Sequence, residues 1–166
     1  MIVVSDTTPI SELTKVGYLN LLRDLFGQVV IPQEVYAELM TGSHSAKVIV
    51  PRLNWLEVRE VGDTQQLKVL QLESNLDLGE VAAIILAEEL KATQLLIDER
   101  AARRIALARQ LPVIGTVGIL VLAKQRGLIE SVKTILDAMI GKGTRIGERL
   151  YQQALFLAQE ENCGLL

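Results

Sequence analysis

The sequence predicts an α/β protein: a mostly parallel central sheet covered by helices on both faces, with a helical C-terminal extension. Three observations predict it. Short β-branched runs alternate with helical patterns over most of the chain. The runs are apolar throughout, as strands covered on both sides require. The last third shows helical periodicity only.

Ile2-Val3-Val4-Ser5 reads as a buried strand, and Thr8-Pro9 opens a helix, with Thr8 as N-cap and Pro9 at the first position. An amphipathic stretch, Tyr18–Phe26, precedes a second strand, Gln28-Val29-Val30-Ile31. Pro32 then starts the helix Gln33–Met40. Leu56-Glu57-Val58-Arg59-Glu60-Val61 alternates apolar and charged residues, as an edge strand does. Leu67–Leu72 and Asp77–Lys91 read as helices. Leu95-Leu96-Ile97 is a short apolar strand before the helix Glu99–Leu111. Val113-Ile114 is expected as a last central strand, and Thr116 as the cap of the helix Val117–Gln125. Ser131–Glu161 reads as helices alone.

No linker or repeat divides the 166 residues, so one domain, 1–166, is expected, with 131–166 as its helical extension. Several chemistries drop out on composition. The single cysteine, Cys163, forms no intramolecular bridge, which fits a reducing, cytoplasmic setting. The single histidine, His44, argues against a His/Cys zinc site or a His-dependent triad. The longest uncharged window, Gln110–Ala123, contains Pro112 and two glycines and is too short to span a membrane. A net charge of −3 argues against a DNA-coating protein. Gly-rich phosphate loops are missing as well. Chemistry here runs on carboxylates.

In parallel sheets, functional groups gather beyond the carboxyl ends of the strands. Asp6 follows the first strand directly, with Thr8 the better cap beside it. Asp98 ends the strand 95–97, where an N-cap is the ordinary alternative. Glu80 is the only charge between residues 78 and 87, at the mouth of a helix apolar all round; Asp77 and Glu80 also fit a capping box. Glu38 forms an i, i+4 like-charge pair with Glu34, which usually marks a solvated face. Several carboxylates at one sheet edge repel unless cations sit between them. Oxygen-only ligands suit Mg²⁺ or Mn²⁺, ions that commonly bind substrate phosphates. Arg100, Arg103 and Arg104 form one helical face beside Asp98, and residues 124–149 carry six basic side chains against three acidic ones. Thr116, at a helix N-terminus, is placed to hold a phosphate oxygen.

Val4-Ser5-Asp6-Thr7-Thr8-Pro9-Ile10, Ile31-Pro32-Gln33-Glu34-Val35-Tyr36-Ala37-Glu38-Leu39, Leu78-Gly79-Glu80-Val81-Ala82-Ala83-Ile84 and Leu96-Ile97-Asp98-Glu99-Arg100-Ala101-Ala102-Arg103 together resemble the PIN-domain family, in a prokaryotic branch related to the toxins of toxin–antitoxin pairs. The resemblance runs through nearly the whole chain, to Arg145–Tyr151. It implies a three-layer α/β/α fold and a metal-dependent endoribonuclease cutting single-stranded RNA through a metal-activated water. It also implies that Asp6, Glu38, Glu80 and Asp98 hold one or two Mg²⁺ or Mn²⁺ ions, with Thr7 and Thr116 beside them or on phosphate. Arg100 and Arg103 would hold the substrate backbone, and a homodimer and a cognate antitoxin are the implied partners.

The sequence departs from the family around Asp98. Ile97 precedes it and Ala101 and Ala102 follow, where many members carry a Thr or Ser and a further acid. That motivates an alternative, a catalytically weak PIN-like module that binds RNA or protein. A phosphohydrolase built on Asp6 would want a second Asp two positions on, where Thr8 stands.

Overall fold

The computed structural model describes residues 1–42 and 45–160; His44 and Cys163 fall outside them. Among the described residues, five strands form one parallel sheet in the order β3-β2-β1-β4-β5: β1 (Val3–Ser5), β2 (Val29–Pro32), β3 (Leu56–Arg59), β4 (Gln94–Leu96) and β5 (Val113–Ile114). The register pairs Val4 with Val30 on one side and Ser5 with Leu96 on the other. The chain steps outward from β1 to β2 and β3, then crosses back to lay β4 on the other flank of β1. That reversal creates a crevice beyond the carboxyl ends of β1 and β4.

Strand alternation sorts the core into two layers. Val3, Val29, Ile31 and Leu96 face one cluster, built by α1 (Thr7–Lys15), α2 (Asn20–Phe26), α3 (Gln33–Thr41), α4 (Ala46–Ile49), α8 (Thr116–Gln125), α9 (Val132–Gly141) and α10 (Glu148–Leu157). Val4, Val30, Leu95 and Ile97 face the other, built by α5 (Thr64–Glu73), α6 (Leu78–Glu89) and α7 (Arg100–Ala108). Helices thus cover both faces, and the architecture is three-layer α/β/α. The C-terminal helices belong to this packing: Ile135, Leu136, Met139 and Ala154 share a cluster with Val3 and Ile31. Among the described residues, no helix is long and apolar enough to cross a membrane.

Several local expectations change. The first helix begins at Thr7, so Asp6 rather than Thr8 holds the N-cap position, and Pro9 sits two residues into the helix. Val113-Ile114 pairs with β4 alone and is an edge strand. A two-residue apolar run carries no mark of central or edge position. The N-cap of α8 is Gly115, with Thr116 at its first turn, and the N-cap of α7 is Glu99, not Asp98. A short helix, α4, and a 3-10 turn (Val50–Arg52) fill a stretch where no element was expected.

Candidate functional site

Four helix N-termini converge on the crevice, because α1, α6, α7 and α8 each start beyond a strand end or pack beside one. Their unpaired N–H groups and dipoles favour negative charge. The carboxylates gathered there answer them in an unexpected way: two cap helices other than their own.

Asp98 is the clearer case. Its Oδ1 accepts the Thr116 N–H at 2.7 Å and its Oδ2 the Thr116 hydroxyl at 2.5 Å, so β4's trailing carboxylate caps α8. Glu38 does the same for α6, its Oε1 accepting the Gly79 N–H at 3.1 Å while Oε2 takes the Thr7 hydroxyl at 2.5 Å. Glu38 is thus half-buried rather than on a solvated face, and so is Glu34, whose Oε1 is buried without a hydrogen-bond partner. Asp77 caps its own helix through the Glu80 N–H at 2.8 Å, as the capping-box reading allowed.

A glycine at each junction lets the carboxylate come this close. A Cβ on Gly79 would lie 2.3 Å from Glu38 Oε1, and one on Gly115 would lie 2.7 Å from Asp98 Oδ1 and 2.8 Å from Arg103 Nη1. The approach of each carboxylate to a helix end depends on that missing side chain.

Asp6 differs from its neighbours. It occupies an N-cap position with only 3% of its surface exposed, yet its side chain caps nothing. Its Oδ1 is buried without a hydrogen-bond partner. Burial pushes its carboxyl up to about 7; the Thr7 amide offsets part of this, and the charges of Asp77, Glu38 and Asp98 add to it. Glu80 is pushed up to about 8 by burial, by its contact with Asp77 and by the charges of Asp77, Asp6 and Glu99. Asp98 is also raised, because burial outweighs the Thr116 hydrogen bonds and the Arg103 charge.

The crevice therefore brings Glu38, Glu80 and Asp98 each within electrostatic reach of Asp6. Among the described residues, no three acidic, His or Cys side chains close into a ready-made cation cage. Thr7 and Thr116 do lie at the site, but their hydroxyls are taken by Glu38 and Asp98 and do not face open space. Arg103 donates to the Ile97 carbonyl at 3.1 Å, and with Arg100 it lines a cleft that starts at Asp98.

Two further acids belong to this neighbourhood. Asp77 contributes the first of the charge effects on Asp6; its capping role was legible in sequence, its closeness to Asp6 was not. Glu12, on α1 and tied to Lys15 at 3.1 Å, adds its charge to Asp98. Only the packing of α1 against α8, whose first turn holds Asp98, reveals it.

The oxygen-only donor set and the orphaned Asp6 Oδ1 fit a hard divalent cation, which characteristically binds through one or two carboxylates and keeps several waters. Comparison with known proteins agrees with the fold. A family model described as a PIN domain matches residues 2–160. No curated protein and no solved structure matches the chain. With nearly the whole chain matched, this protein belongs to the PIN domain family.

Proposed function

We propose that this chain is a Mg²⁺- or Mn²⁺-dependent endoribonuclease acting on single-stranded RNA, with Asp6, Glu38, Glu80 and Asp98 as its acidic centre. The observation that carries the reading is Asp6, a buried carboxylate at the sheet's reversal point with an oxygen that no protein group satisfies. Leaving such a group unpaired costs about 1–3 kcal/mol; Glu34 Oε1 is orphaned as well, but Asp6 alone combines this with near-complete burial at the crevice.

Bound here, a divalent ion supplies the positive charge and Lewis acidity that make water a competent nucleophile near neutral pH. The protein's own part is positional. Asp6 offers a free oxygen at the crevice floor. The Thr7 and Gly79 donors fix Glu38, the Thr116 donors fix Asp98, and Arg100 and Arg103 hold the phosphate backbone against acids that repel it. The likeness to toxin-related sequences extends the proposal to a toxin that acts as a homodimer in the cytoplasm and is neutralised by a cognate antitoxin.

The test is cleavage of labelled single-stranded RNA with Mn²⁺ by wild-type protein and by Asp6→Asn. Cleavage by the wild type alone supports the proposal; equal cleavage by both overturns it. One observation favours a second reading, a weak or inactive binding module: Asp98 is already satisfied by Thr116 and sits near Arg103. A wild-type chain that binds no Mn²⁺ in calorimetric titration selects that alternative.

A further inference from the structure

A cleft of about 850 Å³ opens between α7, β5, α8 and α10, with Asp98 at one end. Its walls are aliphatic: Leu107 of α7, Val117 and Val121 of α8, and Leu150 and Leu157 of α10. Leu107 is 57% exposed, and Leu150 and Leu157 are each 47% exposed, so this apolar surface stands open to water. Arg100, Arg103 and Arg104 line the end nearest Asp98. Among the described residues, none of the three is within ion-pair distance of a carboxylate.

The chemistry of the walls selects the occupant. Arg100 and Arg104 have no carboxylate partner among the described residues, while Arg103 donates to the Ile97 carbonyl and its charge acts on Asp98. This cationic end calls for anions, and the leucines and valines call for apolar side chains. A nucleic-acid strand meets only the first demand, since bases stack on aromatic faces and none of the residues described along this cleft is aromatic. A second copy docked symmetrically through this face would bring three further arginines and, from the described lining, only Asp98 as a carboxylate, so the cationic end would go unanswered. A polypeptide carrying both Leu or Ile and Asp or Glu satisfies both demands. The cleft is also lined by Val113 and Ile114 of β5, an edge strand that pairs with β4 alone.

We infer that this cleft docks a short acidic, aliphatic-rich segment of a partner protein, its carboxylates on Arg100, Arg103 and Arg104 and its apolar side chains against Leu107, Val121 and Leu157. This docking shares Arg100 and Arg103 with the proposed RNA backbone contact, so peptide and RNA compete for those two arginines, whereas Arg104 and Leu107 serve the docking alone.

A random dodecapeptide library displayed on phage, panned on the biotinylated full chain, tests it. Selected peptides are expected to combine Asp or Glu with Leu or Ile. Their fluorescein-labelled forms should bind Arg104→Glu and Leu107→Glu about tenfold more weakly than wild type, as loss of an interface anchor does. Arg104→Lys, which keeps the charge, should stay within about threefold. Both positions are exposed, so thermal midpoints should match the wild type and report an intact fold. The inference is overturned if panning selects nothing, if the peptides lack that composition, or if they bind the two Glu variants as tightly as wild type. Fluorescein-labelled oligouridylate is the second probe. RNA binding that needs Arg104, with no peptide selected, gives the cleft to nucleic acid.

Discussion

Asp98 places both carboxylate oxygens on one residue, Thr116, taking its N–H at 2.7 Å and its hydroxyl at 2.5 Å. The acid at the end of β4 is thereby locked to the first turn of α8, 18 positions further along the chain. Removing half of that grip is informative. Thr116→Val keeps the buried branched shape but deletes the hydroxyl, and the loss should cost about 1–2 kcal/mol in urea unfolding. Thr116→Ser keeps the donor and should recover most of it. A Val variant as stable as wild type would show that the hydroxyl contributes nothing.

Glu38 stitches three elements together, so its charge and its hydrogen-bond acceptors can be separated. Glu38→Gln keeps an acceptor for Thr7 or Gly79, whereas Glu38→Ala leaves both donors unanswered. The Ala variant should lose about 1–3 kcal/mol of stability and the Gln variant under about 1 kcal/mol. Both should lose Mn²⁺-dependent RNA cleavage. Retained cleavage in Glu38→Gln would remove the carboxylate from the acidic centre.

The raised Asp6 carboxyl has a consequence for stability against pH. Between the ordinary carboxylate range and about 7, the folded chain holds a proton on Asp6 that the unfolded chain has released. Unfolding free energy therefore falls as pH climbs through that window, and the full penalty, at most about 4 kcal/mol, applies above 7. In EDTA, the thermal midpoint should drop between pH 5 and 8, and Asp6→Asn should flatten most of that drop. Glu80, raised to about 8, works in the same direction but is half-exposed, so solvent screens it. Parallel curves for wild type and Asp6→Asn would exclude Asp6 as the source.

A cation at the acidic centre should reverse the same penalty. At pH 8, Mn²⁺ at a hundred times its dissociation constant should stabilise the wild type by about 2.7 kcal/mol, and Asp6→Asn by much less. Equal shifts in both proteins would place the binding elsewhere.

Gly115→Ala probes the close approach directly. The added Cβ meets the ends of Asp98 and Arg103, both side chains that can swing aside, so the fold should survive while Asp98 is displaced. Circular dichroism unchanged from wild type, with Mn²⁺ affinity down about tenfold, is the expected pair of results if ligand geometry is what the glycine protects. Unchanged affinity would show that Asp98 needs no such clearance.

The sequence by itself determined the strands, most helices, the two-sided burial of the sheet and the gathering of acids at its carboxyl edge. Period and polarity are local properties, and a run such as Val3-Val4-Ser5 or Val81–Ala87 carries its burial in its own composition. Only the tertiary structure decided which helix each carboxylate would cap, that β5 lies at the edge, and that Asp77 and Glu12 join the neighbourhood of Asp6 and Asp98. Each of these depends on contacts between residues far apart in the chain, where a hydrogen bond is set by the distance between two helix ends and leaves no spacing to read.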